Sequence, residues 1–231
     1  MFMLKNNCVR RDTDGEHLER VLALSKNIDT YATELNVNGD DLTECRSAGA
    51  DWTAAVRVAH AESGEALRAT QSLNDALKKA YSYYVYAKEI LFAKIHAEGG
   101  AGEIIKEYGI DGITSRYYDE IYMRISMWLE ADARLVIEGN PCVVDRDIID
   151  GLNIRLADIR EQWHNSQEAH REKIQANADK RSLFERQTLL LNAILGKAKL
   201  HWGNDDPRLR DLGFLPRSEI WTSKSTEDEP S

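Results

Sequence analysis

Residues 65–98 read EALRATQSLNDALKKAYSYYVYAKEILFAKIHAE, thirty-four positions without a glycine or a proline. Ala, Leu, Lys, Glu and Gln lose little side-chain freedom in a helix, and nothing in the stretch breaks one. Its apolar residues recur every three or four positions, the spacing that lines one helix face. Extended backwards, the seam runs Trp52, Val56, Ala59, Ser63, Ala66, Thr70, Leu73, Leu77, Ala80, Tyr84, Ala87 and Leu91. A helix is therefore expected from Asp40 or Asp41, acidic residues that suit a helix N-terminus, with Gly49 and Gly64 as local weak points.

The same signals recur on either side. Leu18, Val21, Leu24, Ile28, Tyr31 and Leu35 mark an earlier helix, opened by a Thr13/Glu16 capping box and closed over Asn36 to Gly39. Gly99, Gly100, Gly102, Gly109 and Gly112 crowd into one central turn. Beyond it, Tyr118, Ile121, Ile125, Trp128 and Leu135 predict a third helix from about Thr114, stopped by Gly139-Asn140-Pro141. A fourth begins at Asp145 to Asp147 and reads Ile149, Leu152, Leu156, Ile159, Trp163, then Phe184, Leu191 and Ile194. Residues 152–195 again lack glycine and proline. Continuous to about residue 202, this helix spans on the order of 85 Å. No strand-like alternation competes.

These elements predict an all-α protein: an elongated antiparallel four-helix bundle of two shorter and two long helices, with coiled-coil-like seams. One domain is expected over 1–222, with an acidic, disordered tail over 223–231. Pro207 suits the first position of a short turn, and Phe214, Leu215, Ile220 and Trp221 are expected to form a latch folding back on the bundle end, the alternative being an exposed partner-binding peptide. A shift of about 107 residues lays the second helix over the fourth, a faint repeat of elements rather than of identities.

Composition narrows the function classes. The chain of 231 residues carries 39 acidic and 30 basic side chains, a formal charge of −9. That balance argues against a general nucleic-acid binder or a basic membrane-surface protein, both of which need excess cations. No run approaches the roughly 18 apolar residues of a membrane span. The opening residues, with an apolar run too short for a signal-peptide core, lead us to expect no export signal. Cys8, Cys45 and Cys142 lie far apart without metal spacing, as expected for free thiols in a reducing cytoplasm.

Chemistry-bearing patterns are few. Both long helices turn polar and small at mid-length, from about Arg57 to Asn74 and from His164 to Ser182. The fourth-helix seam there is expected at Gln167, His170, Ile174, Asn177 and Arg181. A solvated, thin middle is one reading. The other is a polar pocket: Glu161 and His164 form a Glu-x-x-His step, with Glu168, His170 and His60 as further candidate ligands for a transition metal. Only one such step exists, so a carboxylate-bridged di-metal site is not expected, and no cofactor is predicted.

Tyr81, Tyr83, Tyr84 and Tyr86, with Tyr117, Tyr118 and Tyr122, suggest an aromatic layer or a small aromatic pocket. Phosphate-loop, nucleophile-elbow and zinc-protease signatures are absent. The expected role is a non-catalytic cytoplasmic scaffold or interaction protein, with a protein partner or self-association and neither nucleic acid nor membrane. The alternative is a bundle binding a metal or small ligand through His60, Glu161, His164, Glu168 and His170.

Overall fold

A computed structural model describes residues 13–99, 102–110 and 117–214. It is all-α, with no strand among the described residues. Among the described residues six helices follow in order: α1 (Asp14–Tyr31), α2 (Gly39–Ala97), α3 (Gly102–Glu107), α4 (Tyr118–Ile137), α5 (Arg146–Trp202) and α6 (Arg208–Asp211). No helix among the described residues is long and apolar enough to cross a membrane. The chain divides into two compact units, one ending at Ala61 and resuming at Ile174, the other Glu62–Lys173.

The first unit combines α1, the opening of α2 and the closing half of α5. The capping box starts α1 as expected: Glu16 N–H donates to Thr13 Oγ1, and Thr13 N–H to Glu16 Oε2 at 2.7 Å. Val21, Leu24 and Ile28 pack with Cys45, Ala48 and Trp52 of α2 and with Leu191, Ile194 and Ala198 of α5. Gly49 marks the close approach of α1, since a Cβ there would lie 2.7 Å from Leu22. Leu209, Leu212 and Phe214 join this core. Gly213 makes that possible with φ +84° and with the Arg20 carbonyl 2.8 Å from where a Cβ would stand. Pro207 lies one position before α6. Phe214 is buried; the rest of the expected latch, Leu215 to Trp221, and the tail at 223–231 lie outside the described residues.

The second unit packs α2 from Glu62, α3, α4 and the opening of α5. Tyr84 meets Trp128 edge-on at 5.6 Å, and Tyr108 meets it at 5.3 Å. Leu73, Leu77, Leu91, Ile121, Ile125, Leu135, Leu152 and Ile159 complete the core. The central glycine stretch is more than a turn. It holds α3, and it buries Tyr108 and Ile110 on either side of Gly109, whose φ is +63°. Helix α4 begins at Tyr118; Thr114 lies outside the described residues.

The α2 seam follows the sequence pattern: every named position from Trp52 to Leu91 is buried or partly buried. The middle of α5 does not. His170, Ile174, Asn177 and Arg181 are exposed, Ile174 by 69%, while Ile159, Ser166, Ala176, Gln187 and Ile194 are buried. These buried positions are spaced by 7, 10, 11 and 7 residues, and the buried face leaves the expected seam at Trp163. Small side chains hold its mid-helix positions: Ser166 and Ala176 are buried and Ala169 partly so.

Candidate functional site

The five residues expected to hold a metal are all exposed. His60 belongs to the first unit; Glu161, His164, Glu168 and His170 stand on the part of α5 in the second. His170 has one fixed contact, Nε2 to Thr70 Oγ1 at 3.2 Å. The Thr70 hydroxyl gives its single proton to the Ala66 carbonyl at 2.8 Å. His170 Nε2 is therefore the donor and Nδ1 the nitrogen left to accept.

Among the described residues, the one grouping of three ligand-type side chains within mutual reach is Glu62, Glu65 and Glu172, and it contains none of those five. Glu65 and Glu172 are exposed, and Arg68 lies 3.9 Å from Glu65. An all-carboxylate set has the chemistry of hard cations rather than of the transition metals that imidazole favours.

A second arrangement lies along α2. Asp75, Lys78, Lys79, Ser82, Tyr83 and Tyr86, with Arg155 of α5, line a groove of about 550 Å³ in the second unit. Steps of three and four put the α2 residues on one side of the helix. The Tyr83 hydroxyl donates to the Asp147 carbonyl at 3.3 Å, and its ring lies under the Arg155 guanidinium, 5.8 Å from ring centre to Cζ. Gly151 makes this pose possible, because a Cβ there would overlap the Tyr83 hydroxyl and come within 2.7 Å of its ring edge. Burial first, then neighbouring Tyr86, raises the Tyr83 pKa above its ordinary value. Tyr86 tilts 57° to Tyr83 at 5.8 Å and stays 52% exposed.

A third feature is an aromatic stack between α4 and α5. Tyr118 and Trp163 lie nearly parallel, 13° apart with centroids at 4.3 Å, and Tyr122 stacks on Tyr118 at 5.7 Å. The Arg160 guanidinium stands 5.4 Å from the Tyr122 ring centre and donates to its hydroxyl. Trp163 remains 36% exposed. The expected single tyrosine layer thus serves several purposes: Tyr84 is core, Tyr83 and Tyr86 line the groove, and Tyr118 and Tyr122 form the stack.

Two buried polar relays escaped the sequence reading. His17, fully buried, packs on Trp52 and Phe184, and its Nε2 lies 2.9 Å from Gln187 Oε1. Gln187 Nε2 donates to the Ala48 carbonyl at 2.9 Å, so its oxygen faces His17 and the histidine donates. In the other unit, buried Asp132 accepts from the Tyr108 hydroxyl at 2.8 Å and from Val144 N–H at 3.2 Å. Burial, then that bond to Asp132, drives the Tyr108 pKa far above the usual tyrosine value. Both relays join residues distant in sequence, His17 to Gln187 and Tyr108 to Asp132. Their only local sign is a polar residue at an inward helical position.

No protein-family model matches the chain, and no curated protein or solved structure matches it significantly.

Proposed function

We propose that this chain is a non-catalytic interaction protein, a helical bundle that offers the Tyr118–Tyr122–Trp163 stack to a protein surface. The observation that supports this reading is the near-parallel packing of a partly exposed tryptophan on Tyr118 at 4.3 Å, flanked by Arg160. Trp, Tyr and Arg dominate the energy of protein interfaces, and rings already held in place lose little entropy when a partner covers them. The antiparallel four-helix outline with coiled-coil seams belongs to the same proposal. Buried positions repeating every seven residues along α2, from Cys45 to Ala87, support it. A cytoplasmic location accords with the free, buried thiols of Cys45 and Cys142.

The partner is either a second copy of the chain or another protein. Sedimentation velocity over a range of concentrations and affinity capture from the producing cells test the two cases, each with wild type and Trp163→Ala. The variant should weaken whichever association occurs by about thirtyfold, the effect of losing a hot-spot residue, while the helical circular dichroism stays unchanged. Equal association of both proteins would count against this surface.

A further inference from the structure

We propose that the groove formed by Asp75–Tyr86 of α2 and Arg155 of α5 binds a nucleoside phosphate. Lys78, Lys79 and Arg155 would take the phosphate, and Tyr86 would carry the planar base. The charge pattern comes first. In a chain of net charge −9, this groove gathers three cations against one carboxylate. None of the three is ion-paired among the described residues, and the one charge-related contact of Arg155 is the face of Tyr83. A guanidinium resting on a ring keeps its N–H edge available for the paired oxygens of a phosphate.

The acceptors in the groove narrow the ligand. The Ser82 hydroxyl donates to the Lys78 carbonyl at 2.9 Å, so toward the groove its oxygen only accepts. Asp75 also accepts. A bare inorganic anion is repelled by the Asp75 carboxylate and has few donors to offer either group. A nucleoside phosphate satisfies them with sugar hydroxyls or a base amine while its phosphate reaches the cations. Tyr86 offers an exposed ring face for stacking, and Tyr83 is fixed behind it by Asp147 and the space at Gly151. The volume of about 550 Å³ suits one small ligand. A polynucleotide is the less favoured occupant, because the acidic chain repels a polyanion along its length.

Isothermal titration of the full chain with AMP and ATP, inorganic phosphate, and a twelve-residue oligothymidylate tests this. A nucleotide dissociation constant below about 1 mM is expected, weakened at least about tenfold by Arg155→Ala and by the double change Lys78→Ala, Lys79→Ala. Tyr86→Ala, at an exposed position, should cost about fivefold through lost stacking. Gly151→Ala should also weaken binding by displacing Tyr83, and circular dichroism checks that each variant keeps its helices. Four results would overturn the proposal: no nucleotide binding at about 5 mM, binding indifferent to Arg155→Ala, phosphate binding as tight as nucleotide, or the oligothymidylate binding tightest.

Discussion

Replacing Tyr108 by phenylalanine removes one oxygen atom and tests the core of the second unit at two pH values. The Tyr108 hydroxyl is fully buried and donates to Asp132, whose remaining described contact is the Val144 N–H. A hydrogen bond to a carboxylate contributes about 1.5–3 kcal/mol, so Tyr108→Phe should destabilise by about 2 kcal/mol at pH 8. Alkaline pH adds a second effect. The ordinary tyrosine pKa is 10.0 and folding raises that of Tyr108 far above it. A raised pKa gives stability that is complete below the unfolded value and is lost as pH climbs beyond it, because only the unfolded chain ionises. At pH 11 this stabilises the unfolded wild type by about 1.4 kcal/mol, an effect the phenylalanine variant lacks. The gap between the two proteins should therefore shrink to about 0.6 kcal/mol at pH 11. Urea titrations followed by circular dichroism at both pH values measure it, and every other alkaline titration cancels in the comparison. Equal stability at pH 8, or a gap that stays constant to pH 11, would refute the relay.

Burial, reinforced by Asp41 and Glu44, pushes the Cys45 thiol up to about 12. Cys45 and buried Cys142 should resist an aromatic disulfide reagent at pH 8 until denaturant is added; immediate labelling of either would contradict their burial. Gln187→Leu keeps the bulk of the side chain but removes the partner of His17 Nε2 and of the Ala48 carbonyl. It should cost about 2–4 kcal/mol in chemical denaturation, and a neutral effect would disprove the link. Gly213→Ala meets both a left-handed φ and the Arg20 backbone. A loss of about 1–3 kcal/mol is expected, together with faster proteolysis after α6; unchanged melting would show that this turn adapts.

Local signals were legible wherever one residue's chemistry decides the outcome. The Thr13/Glu16 box fixes the start of α1, the acidic pairs open the long helices, and the apolar spacing of α2 matches its buried face through Leu91. The middle of α5 was misread because Trp163 and Ile174 look like core by size, yet one stacks on Tyr118 and the other faces solvent. The small Ser166 and Ala176 are buried instead, and apolar size read along a single helix does not encode that choice. The glycine-rich centre hid α3 for a similar reason. Gly109 reads as a breaker, whereas its positive φ is what turns Tyr108 and Ile110 into the core.

The candidate site divides along the same line. The Glu161/His164 step was visible as a spacing, but a spacing places two groups on one face without saying whether that face is inward, and here both are exposed. The groove was visible only as scattered lysines and tyrosines. Arg155 joins Tyr83 across seventy-two positions of sequence, and Gly151 gave no hint that it leaves room for a ring.

The most direct test of the proposed interaction surface is photocrosslinking in the producing cells. A photoreactive amino acid would replace Tyr117, which is 79% exposed beside the stack, with Leu189, 72% exposed in the other unit, as control. Crosslinks to a protein from position 117 that vanish with Trp163→Ala, and none from position 189, are the predicted result. Crosslinks that persist without Trp163, or that form only from position 189, would contradict the account.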